Sequence, residues 1–143
     1  MNDVMPPDLA AAAALEPDWL RWWFRALIAS NLFAIFFILQ RCDGRLRVRK
    51  ESLAILVSFV AVGVMMNWMY GKVGYVRLLG LPHLIFWTPI YFWILGKFRH
   101  DAYSGPFKYY AFLYLVIVGT SLVIDTSDLI RYLLGDHQPL HLN

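Results

Sequence analysis

Residues 52–71 read SLAILVSFVAVGVMMNWMYG. The run carries no charge and has the length, roughly 20 residues, that an α-helix needs to cross the hydrocarbon core of a bilayer. Its apolar side chains occupy every face of a 3.6-residue repeat, whereas a helix of a water-soluble bundle keeps a polar outer stripe. A transmembrane β-strand would alternate apolar and polar residues over about ten positions. This run does not alternate, so it predicts a membrane helix.

Working outward, three more runs of the same kind appear. The first extends from Leu20 to Gln40, the third from Leu78 to Gly96, and the fourth starts at Phe107, is apolar through Ile124 and continues to Leu134. The connectors are short, which makes neighbouring helices antiparallel. The expected fold is all-α, a four-helix transmembrane bundle of up-and-down hairpins. Residues 1–19 form a leader, 20–134 the membrane domain and 135–143 a tail.

Composition agrees. Of the 143 residues, 59% are hydrophobic, 17% aromatic and 16% charged, and the mean hydropathy is +0.52. Soluble domains carry about 25% charged residues, so too little polar surface is present to cover a water-soluble globule. Cys42 is the single cysteine. It has no partner for an internal disulfide, and redox or zinc motifs built on a cysteine pair are excluded.

Basic residues give the orientation. Arg41, Arg45, Arg47, Arg49 and Lys50 follow the first span, and Lys97, Arg99 and Lys108 surround the third connector. On the other side lie Arg21, Arg25, Lys72, Arg77 and Arg131. The positive-inside rule therefore places the first and third connectors in the cytoplasm and both termini outside, most simply in a plasma (inner) membrane. The acidic leader, with Asp3, Asp8, Glu16 and Asp18, lacks the basic start and long apolar core of a signal peptide. Pro7 and Asp8 predict a short helix ending before Pro17; the tail after Gly135 is expected to be loosely docked.

Trp19, Trp22, Trp23, Trp68, Tyr70 and Tyr75 fall near the outer boundary, and Trp93, Tyr103, Tyr109 and Tyr110 near the inner one, as interfacial aromatics do. Ala26, Ser30 and Ala34, and likewise Ala54 and Ser58, recur at four-residue spacing and predict close helix contacts. Pro89 predicts a kink in the third span. A weak internal echo relates Phe36–Arg41 to Phe92–Lys97, each closing an inward-going helix before a basic connector.

The informative residues are the polar ones at depth. At 1.5 Å per residue from the outer boundary, Arg25 falls ~7 Å inside, Asn67 ~6 Å, His83 ~8 Å and Asp125 ~3 Å. They belong to four different spans and form one layer. A charge within the bilayer is costly unless paired, so Arg25 is expected to meet Asp125 or Asp128. Asp125, Asp128 and Arg131 share one broad face of the last helix. The candidate binding set is Arg25, Asn67, His83, Trp87, Asp125, Asp128 and Arg131. For each there is a plainer reading: Arg25 snorkels, Asn67 and His83 hold helices together, and Asp128 with Arg131 is a local pair.

Other chemistries find less support. A bis-histidine haem needs two histidines at depth, and His83 is the one so placed; His100, His137 and His141 lie in a connector or the tail. Asp136, His137 and His141 straddle Pro139 and share no helical face. No nucleophile elbow or phosphate-binding glycine loop is present. The basic first connector would suit anionic headgroups, although topology alone also accounts for it.

The sequence names no cofactor, no metal and no nucleic-acid partner. The leading expectation is a protein that handles a small ligand or ion through an outward-facing polar pocket, as a transporter, channel or binding subunit. The alternative is a noncatalytic accessory or assembly subunit, working as a homo-oligomer or with another membrane-complex partner; a membrane-embedded redox or lipid-modifying enzyme comes third. The lipid bilayer is the one partner common to all three.

Overall fold

The structure is a computed structural model that describes residues 6–138. It is mostly helical. Helix α1 (Leu9–Ala14) is followed by α2 (Asp18–Leu32), a 3-10 segment (Phe33–Phe37), strands β1 (Leu39–Cys42) and β2 (Arg45–Val48), α3 (Lys50–Val73), a second 3-10 segment (Arg77–Gly80), α4 (Leu81–Arg99) and α5 (Pro106–Leu133). Four stretches are long and apolar enough to cross a membrane: Asp18–Phe37, Lys50–Val73, Arg77–Arg99 and Pro106–Leu133. The chain reverses between each, so one end of the bundle holds the start of α2 and the finish of α5, and the other holds the two strands.

Helix α5 is the hub, packing on α4, on the 3-10 segment before it and on α2. Its buried residues, Phe107, Tyr110, Ala111, Tyr114, Leu115, Val118, Ser121 and Leu122, recur at steps of three and four. That spacing produces a single seam along a helix. The Tyr110 hydroxyl donates to the Ser30 carbonyl at 2.7 Å and ties α5 to α2. Ser30, Ala34 and Ser58 are buried at the expected helix contacts. Helix α4 runs through Pro89 without interruption.

Helix α1 forms between the two prolines, with Asp8 as its N-cap: the carboxylate accepts the Ala11 N–H at 2.7 Å. Ala12 lies in a small cluster with Met69, Tyr70, Tyr75 and Leu79, which attaches this segment to α3 and the connector that follows. The Tyr70 hydroxyl adds a hydrogen bond to the Pro6 carbonyl at 2.6 Å.

The first span differs from expectation. Its α-helix ends at Leu32, not Gln40, and the basic connector is an antiparallel hairpin pairing Leu39 with Val48 and Cys42 with Arg45. The cause is local. Asp43 and Gly44 both take positive φ (52° and 75°), the requirement of the two-residue turn whose twist matches paired strands. The ladder is extended where Arg49 N–H donates to the Ile38 carbonyl at 2.6 Å. A 3-10 helix rises about 2.0 Å per residue against 1.5 Å, so Asp18–Phe37 is already about 32 Å long and matches the thickness of a hydrocarbon core without Ile38–Gln40.

The hairpin also removes the structural basis of the internal echo, since Phe36–Arg41 is 3-10 and strand whereas Phe92–Lys97 is α-helix. Among the aromatic residues expected at the two boundaries, Trp19, Trp22 and Trp68 are exposed, but Tyr70, Tyr75, Tyr103 and Tyr110 are buried core residues.

Candidate functional site

The α5 seam does not stop at Ser121. Further steps of four and three reach Asp125 and then Asp128, so the packing phase that buries Tyr114 and Val118 also turns these two carboxylates inward. Opposite them, α4 presents His83 and, one turn on, Trp87. The Asp125 Oδ2 atom lies 3.1 Å from His83 Nδ1, and the two side chains are 15% and 14% exposed for His83 and Asp125 respectively. Nδ1 is off the line of a directed hydrogen bond, which makes this a close polar contact of an imidazole with a carboxylate. The Ser121 hydroxyl approaches the same oxygen at 3.3 Å.

Gly80 makes the approach feasible. A Cβ at that position would meet Asp125 Oδ1 at 2.7 Å and Asp125 Cβ at 3.1 Å, so the carboxylate rests on the backbone where α4 begins. Helix N-termini favour negative charge there. Behind the pair, the His83 and Trp87 rings stack with centroids 4.4 Å apart and planes inclined at 31°. Trp87 is 2% exposed, and its Nε1 donor is buried with no partner among the described residues.

A second group of charges adjoins this one. Arg77, in the 3-10 segment before α4, donates to Asp128 Oδ1 at 2.9 Å through NH1 and to Asp136 Oδ2 at 3.0 Å through Nε. Arg131 reaches the same Asp136 oxygen at 3.1 Å. Arg77 was not among the expected site residues, although it stands immediately before the third span at the level of Asp128. The loosely docked tail is thus held at Asp136, with His137 edge-on against Tyr132; His141 lies outside the described residues.

Four of the seven candidates, His83, Trp87, Asp125 and Asp128, come together, and Arg131 joins them through Asp136. Arg25 and Asn67 do not. Arg25 is exposed and its guanidinium lies 4.8 Å over the Trp22 ring, so the expected pairing with Asp125 or Asp128 is not made and Arg77 takes that place. Asn67 is exposed and donates to the Gly63 carbonyl of its own helix at 2.8 Å. The layer is therefore built by α4, α5 and the segment before α4.

A polar cluster at the hairpin end also escaped the sequence reading. Glu51, 6% exposed, accepts from Lys97 Nζ at 2.6 Å, and the Tyr103 hydroxyl is 3.4 Å from the same oxygen. Burial, and then the charge of Glu51, hold the Tyr103 hydroxyl above its ordinary range. The Arg49 guanidinium lies 3.8 Å over Phe107. These contacts join α3, α4 and α5.

The docked tail is sensitive to acid. Loss of solvent raises the Asp136 pKa, but the Arg77 hydrogen bond and the charges of Arg77 and Arg131 outweigh it and leave the carboxyl below its ordinary value. Such a group contributes stability above its ordinary pKa, about 4, and loses it as pH falls through the lower folded value. Acidification below about pH 4 should release residues 134–138, and alkalinisation from neutral should not. A fluorophore at His137→Cys in a Cys42→Ser background should lose anisotropy in acid, and Asp136→Asn should reproduce the loss at neutral pH.

Compared with known proteins, the chain matches no family model, no curated protein and no solved structure.

Proposed function

We propose that this chain is a four-span integral membrane protein with both termini outside and the hairpin in the cytoplasm, and that it binds a small cation or positively charged polar ligand between α4 and α5. The length and apolarity of the four helices and the concentration of Lys and Arg at the hairpin end support the membrane topology. The observation that carries the binding reading is the His83–Asp125 contact at 3.1 Å, contributed by two different helices. Asp125, Ser121 and His83 offer a negative charge and acceptor atoms. The neighbouring guanidinium of Arg77 is already occupied by Asp128 and Asp136. A transporter, channel or binding subunit would use such a site.

The test uses protein in lipid nanodiscs titrated separately with Na+, K+, Ca2+ and methylammonium, read by tryptophan fluorescence. Trp87 against His83 supplies the reporter, with Trp87→Phe as control. Wild type should respond saturably to at least one ion. His83→Ala and Asp125→Asn should keep their helicity and lose at least about tenfold in apparent affinity, the scale of one hydrogen bond to a charged group. No saturable response in wild type, or unchanged affinity in both variants, would remove the ligand reading.

A second reading, an assembly subunit, is favoured by one specific feature. An open apolar groove of about 660 Å³ runs between α2 and α5, lined by Ala26, Ala29, Ser30, Phe33, Tyr109 and Leu113 among others. Small residues on its floor would let a helix of another copy or another subunit approach closely. Loss of a co-purifying partner on Ala29→Phe, with ion response intact, would favour it.

A further inference from the structure

The hairpin has two unlike faces. Pairing of Leu39 with Val48 and of Arg41 with Leu46 puts these four on one face; Gln40, Cys42, Arg45 and Arg47 are on the other. Leu39, Leu46 and Val48 are 61%, 65% and 52% exposed, so the other described residues leave more than half of each uncovered. Gln40 and Cys42 on the opposite face are half-covered. An isolated two-stranded hairpin is marginal in water even without an uncovered apolar side. Some apolar medium must therefore meet this face.

Three observations identify that medium. Exposed Phe33, Ile35 and Phe36 precede Leu39 by three to six residues, so apolar exposure at the end of the first helical stretch recurs at the start of the hairpin. Arg41, Arg45, Arg47, Arg49 and Lys50 are set against Asp43 as the local acid, because the adjacent Glu51 already bridges Lys97. Arg41, the charge on the apolar face, sits beside the Asp43–Gly44 turn, where its long stem allows the guanidinium to reach outward. An apolar face bordered by arginines is the pattern of elements that lie in the plane of a membrane interface.

We propose that the hairpin is a lipid-binding element: Leu39, Leu46 and Val48 enter the acyl boundary of the leaflet on that side, and Arg41, Arg45 and Arg47 hold the phosphates of anionic phospholipids. The proposal rests on the four-span reading and is independent of the His83 site. It goes beyond positive-inside topology, which requires basic residues in the connector but assigns neither a fold nor a buried face to it.

Full-length protein with Cys42→Ser provides the test, spin-labelled at Leu46→Cys or at Arg45→Cys and reconstituted into vesicles of phosphatidylcholine, with or without phosphatidylglycerol. The label at Leu46→Cys should be shielded from a water-soluble nickel relaxant and open to oxygen, and the label at Arg45→Cys should show the reverse. Each arginine near an anionic surface favours binding about fivefold, so the triple substitution Arg41→Gln, Arg45→Gln, Arg47→Gln should reduce phosphatidylglycerol retained in native mass spectra by well over tenfold. Equal nickel access at both labels in a reconstituted protein would overturn the proposal and leave the face to a protein partner. Unchanged phosphatidylglycerol retention in the triple variant would overturn its anionic-lipid part. Failure to insert into vesicles at all would instead overturn the four-span reading.

Discussion

Replacing Trp87 with alanine is expected to destabilise the protein by about 3 to 5 kcal/mol, the usual consequence of removing a fully packed aromatic ring. Trp87 is among the largest fully buried side chains, sits in the cluster shared by α2, α3, α4 and α5, and supports His83 by stacking. A phenylalanine would keep most of that packing. Because the indole Nε1 has no partner among the described residues, Trp87→Phe forfeits no hydrogen bond within them and should cost only about 1 to 2 kcal/mol, from the missing ring volume. Helicity followed through a mixed-micelle SDS titration measures both. Equal losses for the two variants would mean that the indole N–H is satisfied from outside the fold, as by a bound ligand or water, and buried donors are seldom left unmade.

The second large effect is expected at Gly80. A methyl group there meets Asp125 Oδ1 at 2.7 Å, closer than real Cβ atoms come, and Asp125 Cβ at 3.1 Å, a contact that requires a small shift. Either α5 moves away from the start of α4 or Asp125 changes rotamer; the strain of such overpacking is about 1 to 3 kcal/mol. Both responses separate Asp125 from His83, so Gly80→Ala should weaken ion response as much as Asp125→Asn does, from a residue that offers no side chain to a ligand. The contact predicts coupling: in an Asp125→Ala background, where the carboxylate is gone, Gly80→Ala should cost distinctly less. Additive losses in that double-mutant cycle would show that Gly80 acts elsewhere.

Much of this architecture can be read from the sequence because three of the four membrane-length stretches are long, mostly apolar runs. Residues 52–71, 78–96 and 107–134 lie within about three residues of helices or helical segments in the structure. The first stretch departs from what its apolar pattern predicts for a specific reason. Its final residues are as apolar as the rest, and the hairpin signal, Asp43-Gly44 between LQRC and RLRV, sits in a connector whose positive charge already had an explanation in topology. The Asp-Gly pair between two short extended runs is nevertheless the strongest local hairpin signature.

Depth was easier to read than direction. Counting residues from the ends of the apolar runs puts His83 and Asp125 in one layer but gives no azimuth to Arg25 or Asn67. The buried positions of α2 include Leu27, Ser30 and Asn31, and those of α3 include Val62 and Met69. Arg25 is two residues from Leu27, and Asn67 two from Met69, about 200° around the helix in each case. Both therefore point away from the interior. In α5 the same count works in favour of the site, since Asp125 and Asp128 continue the spacing of Tyr114, Val118 and Ser121. Arg77 lay in a connector, where depth counting does not reach.

That continuity makes α5 a ruler graduated in residues. Every graduation is a rotation of about 100°, and the same unbroken helix sets the Tyr110 hydroxyl against α2 at one end and two carboxylates against His83 and Arg77 at the other. Side chains along its outer faces are free to vary, but the tally between Tyr110 and Asp125 is not. A change of even one in that number would keep the helix and its apolar length while turning the whole charged end to face the wrong neighbours.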